Sequence, residues 1–197
     1  MEGDTEERFV RQILDAHLRM HNIETQTFVL HGNVSAQRLA RTMANLFRRC
    51  GMATSLVDYY GFRDKGMDGV TALEGRISTA VQSELGSSAD SSLVIPYIQQ
   101  YEFEALLFSE VSAFQSVLGL YQGTVQQLAA VRQSFSTPEE INDHPDTAPS
   151  KRITNIIRHY DKVTHGSLVA QAIGLTTIRR ECPRFDAWVT RLESLSA

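Results

Sequence analysis

Residues 2–10, Glu-Gly-Asp-Thr-Glu-Glu-Arg-Phe-Val, place four acids within six positions and then run directly into an apolar helical stripe. Phe9, Val10, Ile13, Leu14, His17 and Leu18 recur at helical spacing, which predicts a helix over residues 5–20. Asp4 is the expected N-cap, with Glu7 as the return half of a capping box. Gly3 permits a sharp turn before the cap, so Glu2 and Glu6 can aim at one spot above the helix start. Two readings stand side by side. Acids at a helix start are favoured by the helix dipole by roughly 0.3–1 kcal/mol without any further role. The same acids can also serve as ligands of a metal.

Three further acids stand where strands are expected to end. Asp58 closes the strand expected at 54–58 and precedes Tyr59-Tyr60-Gly61. Glu102 and Glu104 follow the near-continuous apolar run 93–98, which reads as a strand buried on both faces. Carboxylate oxygens are hard ligands suited to Mg²⁺, Mn²⁺ or Ca²⁺. Two such ions about 4 Å apart can activate water and steady a leaving oxygen in phosphodiester cleavage. Glu2, Glu6, Asp58 and Glu104, with Glu102 as a fifth member, could supply such a site. A cation would complete it by neutralising developing charge. Lys162 is the first choice, beside His165-Gly166 and between short helical segments.

These residues need a scaffold that brings distant acids to one edge. A short strand is expected at 25–30, a helix at 35–50 ended by Gly51, a strand at 54–58, a helix at 70–85, a small-residue loop at 87–92 and a strand at 93–98. Strands alternating with helices imply a parallel, doubly wound sheet, which binds ligands beyond the carboxyl ends of its strands. The fold expected is α/β, a parallel sheet flanked by helices over residues 1–100, with an all-helical extension over 101–197 packed on it. In the extension, helices are expected at 111–118 and 124–134, a helix start at Thr137-Pro138, and a helix from Ser150 to about Tyr160. An amphipathic helix bearing Phe185, Trp188, Val189 and Leu192 closes the chain.

Composition narrows the classes. At 197 residues, with a hydrophobic fraction of 42% and a charged fraction of 21%, the sequence has the make-up of a soluble globular protein. No apolar run approaches the ~18 residues of a membrane span. The acidic start is unlike a signal peptide, and Cys50 and Cys182 have no metal-ligand spacing; a cytoplasmic protein without membrane partners is expected. Residues 1–150 hold 11 basic and 19 acidic residues, net −8, whereas residues 151–197 hold 8 basic and 4 acidic, net +4. That division suits a site where a metal meets a phosphate backbone. Lys151, Arg152 and Lys162 are the nucleic-acid contacts expected from the basic part. Other chemistries fit less well: there is no GxxxxGK[ST], GxGxxG or GxSxG motif. His17 and His21 lie at i, i+4 but lack the intervening Glu of a zincin, and His165 before Gly can be a general base or a structural loop residue. Tyr59 and Tyr60 can stack on bases or simply pack.

Six motifs taken together resemble a bacterial family, domain-of-unknown-function family 4276. They are residues 2–10, Asp58-Tyr59-Tyr60-Gly61, Ile95-Pro96-Tyr97-Ile98, residues 102–108 (Glu-Phe-Glu-Ala-Leu-Leu-Phe), Pro149-Ser150-Lys151-Arg152-Ile153 and residues 182–188 (Cys-Pro-Arg-Phe-Asp-Ala-Trp). That family in turn resembles the Toprim fold of topoisomerases, primases and overcoming-lysogenization-defect nucleases. The resemblance implies metal ligation by Glu2, Glu6 and Asp58 and a late lysine, for which Lys162 is the match. Tyr60 stands where the second acid of the Asp-x-Asp pattern belongs, so Glu102 or Glu104 would have to substitute. Also implied are Mg²⁺ or Mn²⁺ as cofactor, nucleic acid as substrate, an ATPase partner and a role in defence against phage. Under this reading the protein is a metal-dependent nuclease or a related phosphoryl-transfer enzyme. The alternative is a non-catalytic subunit that binds metal or nucleotide and regulates an ATPase. Toprim-like modules place an apolar strand directly before the first Glu, so a strand ahead of Met1 is also expected.

Overall fold

The computed structural model describes residues 1–86, 90–142 and 144–195. The expected small-residue loop at 87–92 lies partly outside them. The first helix is α1 (Asp4–Phe9), a π-helical turn over Val10–Leu14 and α2 (Asp15–Arg19), in unbroken succession. Its cap differs from the sequence expectation by one residue on each side. Gly3 is the N-cap, and Glu6 rather than Glu7 reaches back, its Oε2 accepting from Gly3 N–H at 3.0 Å. Glu7 turns outward to Arg11 and Thr27 instead.

α3 (Ala36–Cys50) begins where Ser35 Oγ accepts from Arg38 N–H and ends at Gly51, whose φ of 77° is the left-handed conformation that a glycine adopts without strain. α4 (Val70–Leu85) has the expected bounds. The two strand regions are each interrupted. β1 (Ala53–Thr54) pairs in parallel with β3 (Val94–Ile95), and β2 (Val57–Asp58) pairs in parallel with β4 (Ile98–Gln99). Between the two ladders the Ser55 hydroxyl takes the place of main-chain bonds, accepting from Tyr97 N–H and donating to Tyr97 O. The protein is α/β with short parallel strands, as expected.

The expected strand at 25–30 joins no ladder. Its burial alternates residue by residue as a strand's would. Met1 is its main-chain partner: the Met1 ammonium donates to Phe28 O at 2.8 Å and Leu30 N–H donates to Met1 O at 2.9 Å. Those two bonds bracket Val29, which is the parallel pattern.

After a 3₁₀ segment at Phe103–Ser109, the remainder is helical: α5 (Ser112–Leu118), α6 (Gln122–Gln133), α7 (Pro149–Ile156), α8 (Lys162–Ile173), α9 (Leu175–Glu181) and α10 (Pro183–Glu193). α7 stops four residues short of the expected Tyr160, and Ser150 lies inside it rather than capping it. Two hydrophobic clusters hold the fold. One joins α3 and α4 to the strands through Leu39, Met43, Leu73, Ile77, Val57 and Ile98. The other packs Phe9, Leu14 and Leu18 of the first helix against Phe103, Phe185 and Trp188. The first helix therefore shares a core with the end of the chain. No helix among the described residues is long and apolar enough to cross a membrane.

Candidate functional site

Glu2, at the turn before α1, lays its carboxylate against the bare Cα of Gly61. A Cβ at Gly61 would stand 2.0 Å from Glu2 Oε2. Asp58 N–H donates to the same carboxylate, while Oε2 itself is buried with no hydrogen-bond partner. A buried carboxylate oxygen without a donor is costly unless something unaccounted for binds it.

Around it the chain gathers four more acids. Asp58 at the end of β2 accepts from Phe103 N–H at 2.7 Å, which ties the first strand region to the segment after the second. Glu104 lies on the 3₁₀ segment and is 2% exposed; Glu6 is 6% exposed. Glu102 Oε2 accepts from Ser150 N–H at 2.9 Å and so serves as the acidic cap of α7. Lys162, the first residue of α8, faces them with Nζ 3.3 Å from both Glu104 oxygens. Its side chain remains about half exposed at 46%, so the ammonium reaches the cluster from the solvent side.

Mutual repulsion and burial shape the protonation of this cluster. Asp58 is pushed well above the usual carboxylate range, by burial first and then by Glu6, Glu104, Glu2 and Glu102. Burial and Glu6 raise Glu2, against the opposing pull of Asp58 N–H and Lys162. Burial lifts Glu104 to about 7, with Lys162 opposing and Glu102 reinforcing. Burial works against the charge on Lys162, but Glu104, Glu102 and Asp58 outweigh it and raise its pKa. The charges that act on Glu2, Asp58 and Glu104 come from residues expected from the sequence: Glu2, Glu6, Glu102, Glu104 and Lys162.

The cluster is gathered but not closed. No three of these acids bring ligand oxygens within 4.8 Å of one another among the described residues. The donors are nonetheless all hard oxygens, and Glu2 Oε2 is buried without a hydrogen-bond partner, so the residues fit a divalent cation of the Mg²⁺ type.

The three expected nucleic-acid contacts separate. Lys162 faces the acids. Lys151 is exposed on the first turn of α7, next to Ser150. Arg152 turns away, its Nε donating to Thr147 O at 2.7 Å and its guanidinium 5.2 Å from the Phe135 ring centroid. His165 serves as a helix-start residue, Nδ1 accepting from Asp161 N–H.

Sequence reasoning gave Gly61 and Tyr160 no role in the site and read Ser150 only as a helix cap. The Tyr160 hydroxyl is buried without a partner, 3.0 Å from where a Cβ on Gly166 would stand. Burial and the charge of Glu104 push its pKa up. The sequence signals were slight: a glycine after two tyrosines, and a tyrosine two residues before Lys162. Tyr59 and Tyr60 form a trio with Tyr101, whose centroids lie 5.6–5.9 Å apart, Tyr60 and Tyr101 being stacked. Lys65 Nζ lies over both Tyr59 and Tyr60. Each tyrosine is next in sequence or one removed from a cluster acid, Asp58 or Glu102.

His17 and His21 meet Glu193, and these are the described residues whose ligand atoms do lie within 4.8 Å of one another. Arg179 already occupies that place. Its guanidinium contacts both Glu193 oxygens and comes within 3.3 Å of His17 Nε2. The group is a polar lock between the first helix and α9–α10.

The family description "Domain of unknown function (DUF4276)" matches residues 1–193. The chain belongs to the DUF4276 family. The match spans all the site residues of this member, from Glu2 to Lys162. No curated protein and no solved structure matches it.

Proposed function

We propose that this DUF4276 protein is a Toprim-like nuclease, hydrolysing phosphodiesters with Mg²⁺ or Mn²⁺. The observation that carries the reading is the gathering of five acids from separate stretches near Lys162, one of which, Glu2, has a buried carboxylate oxygen with no protein partner. Glu2, Asp58 and Glu104 would hold the ion, with Glu6 and Glu102 around them. A bound divalent ion supplies Lewis acidity and lowers the pKa of water. The chain's own groups do the rest. Lys162 brings a positive charge to the rim, where it can stabilise charge that develops on a phosphate. Glu104, near neutrality in its pKa, can hold or release a proton at physiological pH. Lys151 offers an exposed charge for the backbone, and the tyrosine trio offers ring faces for a base. Work beside an ATPase in phage defence belongs to the same proposal and rests on the family resemblance alone.

A second reading has its own observation. The carboxylates are not drawn around one point, Lys162 is engaged with Glu104, and Tyr60 stands in place of a second acid. That arrangement suits a subunit that binds metal or nucleotide and regulates an ATPase without cleaving anything. The deciding experiment is cleavage of plasmid DNA, single-stranded DNA and RNA with Mg²⁺, Mn²⁺ or EDTA, with and without the ATPase. Metal-dependent cleavage that falls about 10²-fold in Lys162→Ala and is lost in Asp58→Asn supports the nuclease. A metal-induced rise in melting temperature without cleavage in any arm favours the regulatory subunit. Neither cleavage nor a melting shift removes both.

A further inference from the structure

Three tyrosines stand together at the carboxyl edge of the strands, and the core does not account for two of them. Tyr59 and Tyr60 follow Asp58 at the end of β2, and Tyr101 precedes Glu102. Tyr60 N–H donates to Tyr101 O at 3.3 Å, which ties the two stretches side by side. The Tyr60 and Tyr101 rings stack with centroids 5.6 Å apart and planes 25° from parallel, and Tyr59 meets Tyr101 edge-on at 5.9 Å. Tyr59 packs against the cluster that joins α3 and α4 to the strands, but Tyr60 and Tyr101 belong to neither hydrophobic cluster. Both stay partly exposed. Aromatic rings ordinarily contribute through the area they bury in a core. Two rings stacked outside both cores call for another reason.

Two polar neighbours indicate what it is. Lys65 Nζ lies 5.3 Å and 5.7 Å from the Tyr59 and Tyr60 ring centroids and gives one of its three N–H donors to Phe62 O. The Asn142 side chain hydrogen-bonds the Tyr60 hydroxyl, and its Oδ1 is buried with no hydrogen-bond partner. A buried acceptor without a donor is rare and costly. One kind of ligand answers all of these features: a flat ring system that carries N–H donors and is joined to an anion. A nucleotide has that make-up. Its base extends the stack, its N–H groups supply a donor, and its phosphate meets a cation. Inside a duplex both faces of a base are covered by its neighbours, so an unpaired base is required.

We propose that Tyr60 and Tyr101 seat an unpaired nucleobase, and that the acid site beside them therefore takes a single strand. What is done to that strand rests on the nuclease reading; the seat itself stands on the rings, Lys65 and Asn142. Seat and acids are joined directly. Tyr101 is next to Glu102, and Gly61, which receives the Glu2 carboxylate, follows Tyr60. A base held on the stack thus leaves its strand running past the acids and Lys162.

The test is fluorescence anisotropy on the full chain with Ca²⁺ in place of Mg²⁺, strand integrity being checked on a gel. The probes are a DNA single strand of about 12 nucleotides, the RNA of the same sequence, the DNA duplex, and a fully abasic strand of equal length. Each stacked base is worth on the order of 5- to 150-fold in affinity, so an intact strand should bind at least about tenfold more tightly than the abasic one. The DNA and RNA arms show which strand is preferred. Tyr60→Leu and Tyr101→Leu should each narrow that gap while leaving abasic binding unchanged, which also reports that the variants are folded. Tyr101→Phe should keep the gap. Lys65→Ala should weaken intact and abasic strands alike and lower the salt slope by about 0.7. Equal binding of intact and abasic strands overturns the proposal, as does a gap that survives both leucine variants. So does a duplex or a mononucleotide that binds as tightly as the single strand, or failure of every strand to bind. A gap without cleavage in Mg²⁺ removes the nuclease and leaves the seat; cleavage without a gap does the reverse.

Discussion

Gly61 is the residue on which the site depends most sharply. A methyl group there cannot coexist with Glu2 as placed, since Oε2, Cδ and Oε1 would all lie within 2.7 Å of it. Gly61→Ala should therefore move Glu2 out of the cluster. The cost in stability should be about 1–3 kcal/mol, as for other overpacked sites, and the rise in melting temperature on adding Mg²⁺ should shrink or vanish. Differential scanning fluorimetry with and without Mg²⁺ reads both effects. Protonation gives a second expectation at this scale. The pKa of Glu104 is raised to about 7 in the fold, and Asp58 and Glu2 move in the same direction. A carboxyl raised in this way contributes stability that is whole below its unfolded value near 4.5 and is lost as pH rises through its folded value. In EDTA, then, the melting temperature should fall between pH 5 and pH 8. Glu104→Gln should flatten that fall, and saturating Mg²⁺ should reduce it. Glu193 lies in the opposite window: hydrogen bonds from Arg179 and His17 hold it down at about 2 despite partial burial. Its contribution is present above about 4.5 and fades only in strong acid, so the two effects do not overlap.

Elements show what the sequence could and could not tell. α3 and α4 were legible because their signals are local: a serine cap, a left-handed glycine, an apolar stripe. The acids at strand ends were legible because a parallel sheet collects the carboxyl ends of its strands on one edge. Less legible was anything decided by a distant partner. Ser150 looked like a cap, yet the carboxylate that meets the start of α7 is Glu102, 48 residues earlier. His17 and His21 gave no sign of Glu193, which is 176 residues from His17. The strand at 25–30 had the right alternation and still formed no ladder, since strand pairing depends on a neighbour that local pattern does not contain. The Glu102 contact carries a prediction. Glu102→Ala should unpin the first turn of α7 and cost about 1 kcal/mol, the usual worth of a helix cap. Amide exchange of Ser150 and Lys151 should rise while α3 and α4 keep their protection.

The whole molecule has its charge divided along the sequence, and the fold brings the two parts together at Lys162 and Glu104. Of the basic residues expected to meet nucleic acid, Lys151 is exposed and Arg152 is committed to Thr147 and Phe135. Lys151→Ala should weaken binding to single-stranded DNA and reduce the salt slope by about 0.7 for one lost phosphate contact. Arg152→Ala should leave the slope nearly unchanged and lower the melting temperature instead. Fluorescence anisotropy titrations at three or four salt concentrations separate the two.

Phe9, Leu14 and Leu18 have their packing partners in Phe185, Trp188 and Leu192, at the far end of the chain. On the ribosome, synthesis proceeds at roughly 5–20 residues per second, so the first helix waits on the order of 10–35 s before these C-terminal partners exist. Throughout that interval the part of its apolar stripe that faces Phe185, Trp188 and Leu192 is open to water, to proteases and to other nascent chains. Stalled chains ending near residue 150 should therefore be cut readily within residues 9–18 under limited proteolysis. Release of the complete chain should abolish those cuts. The N-terminal helix is first to be made and among the last to be buried, which makes a holding chaperone more valuable to this protein than its modest length suggests.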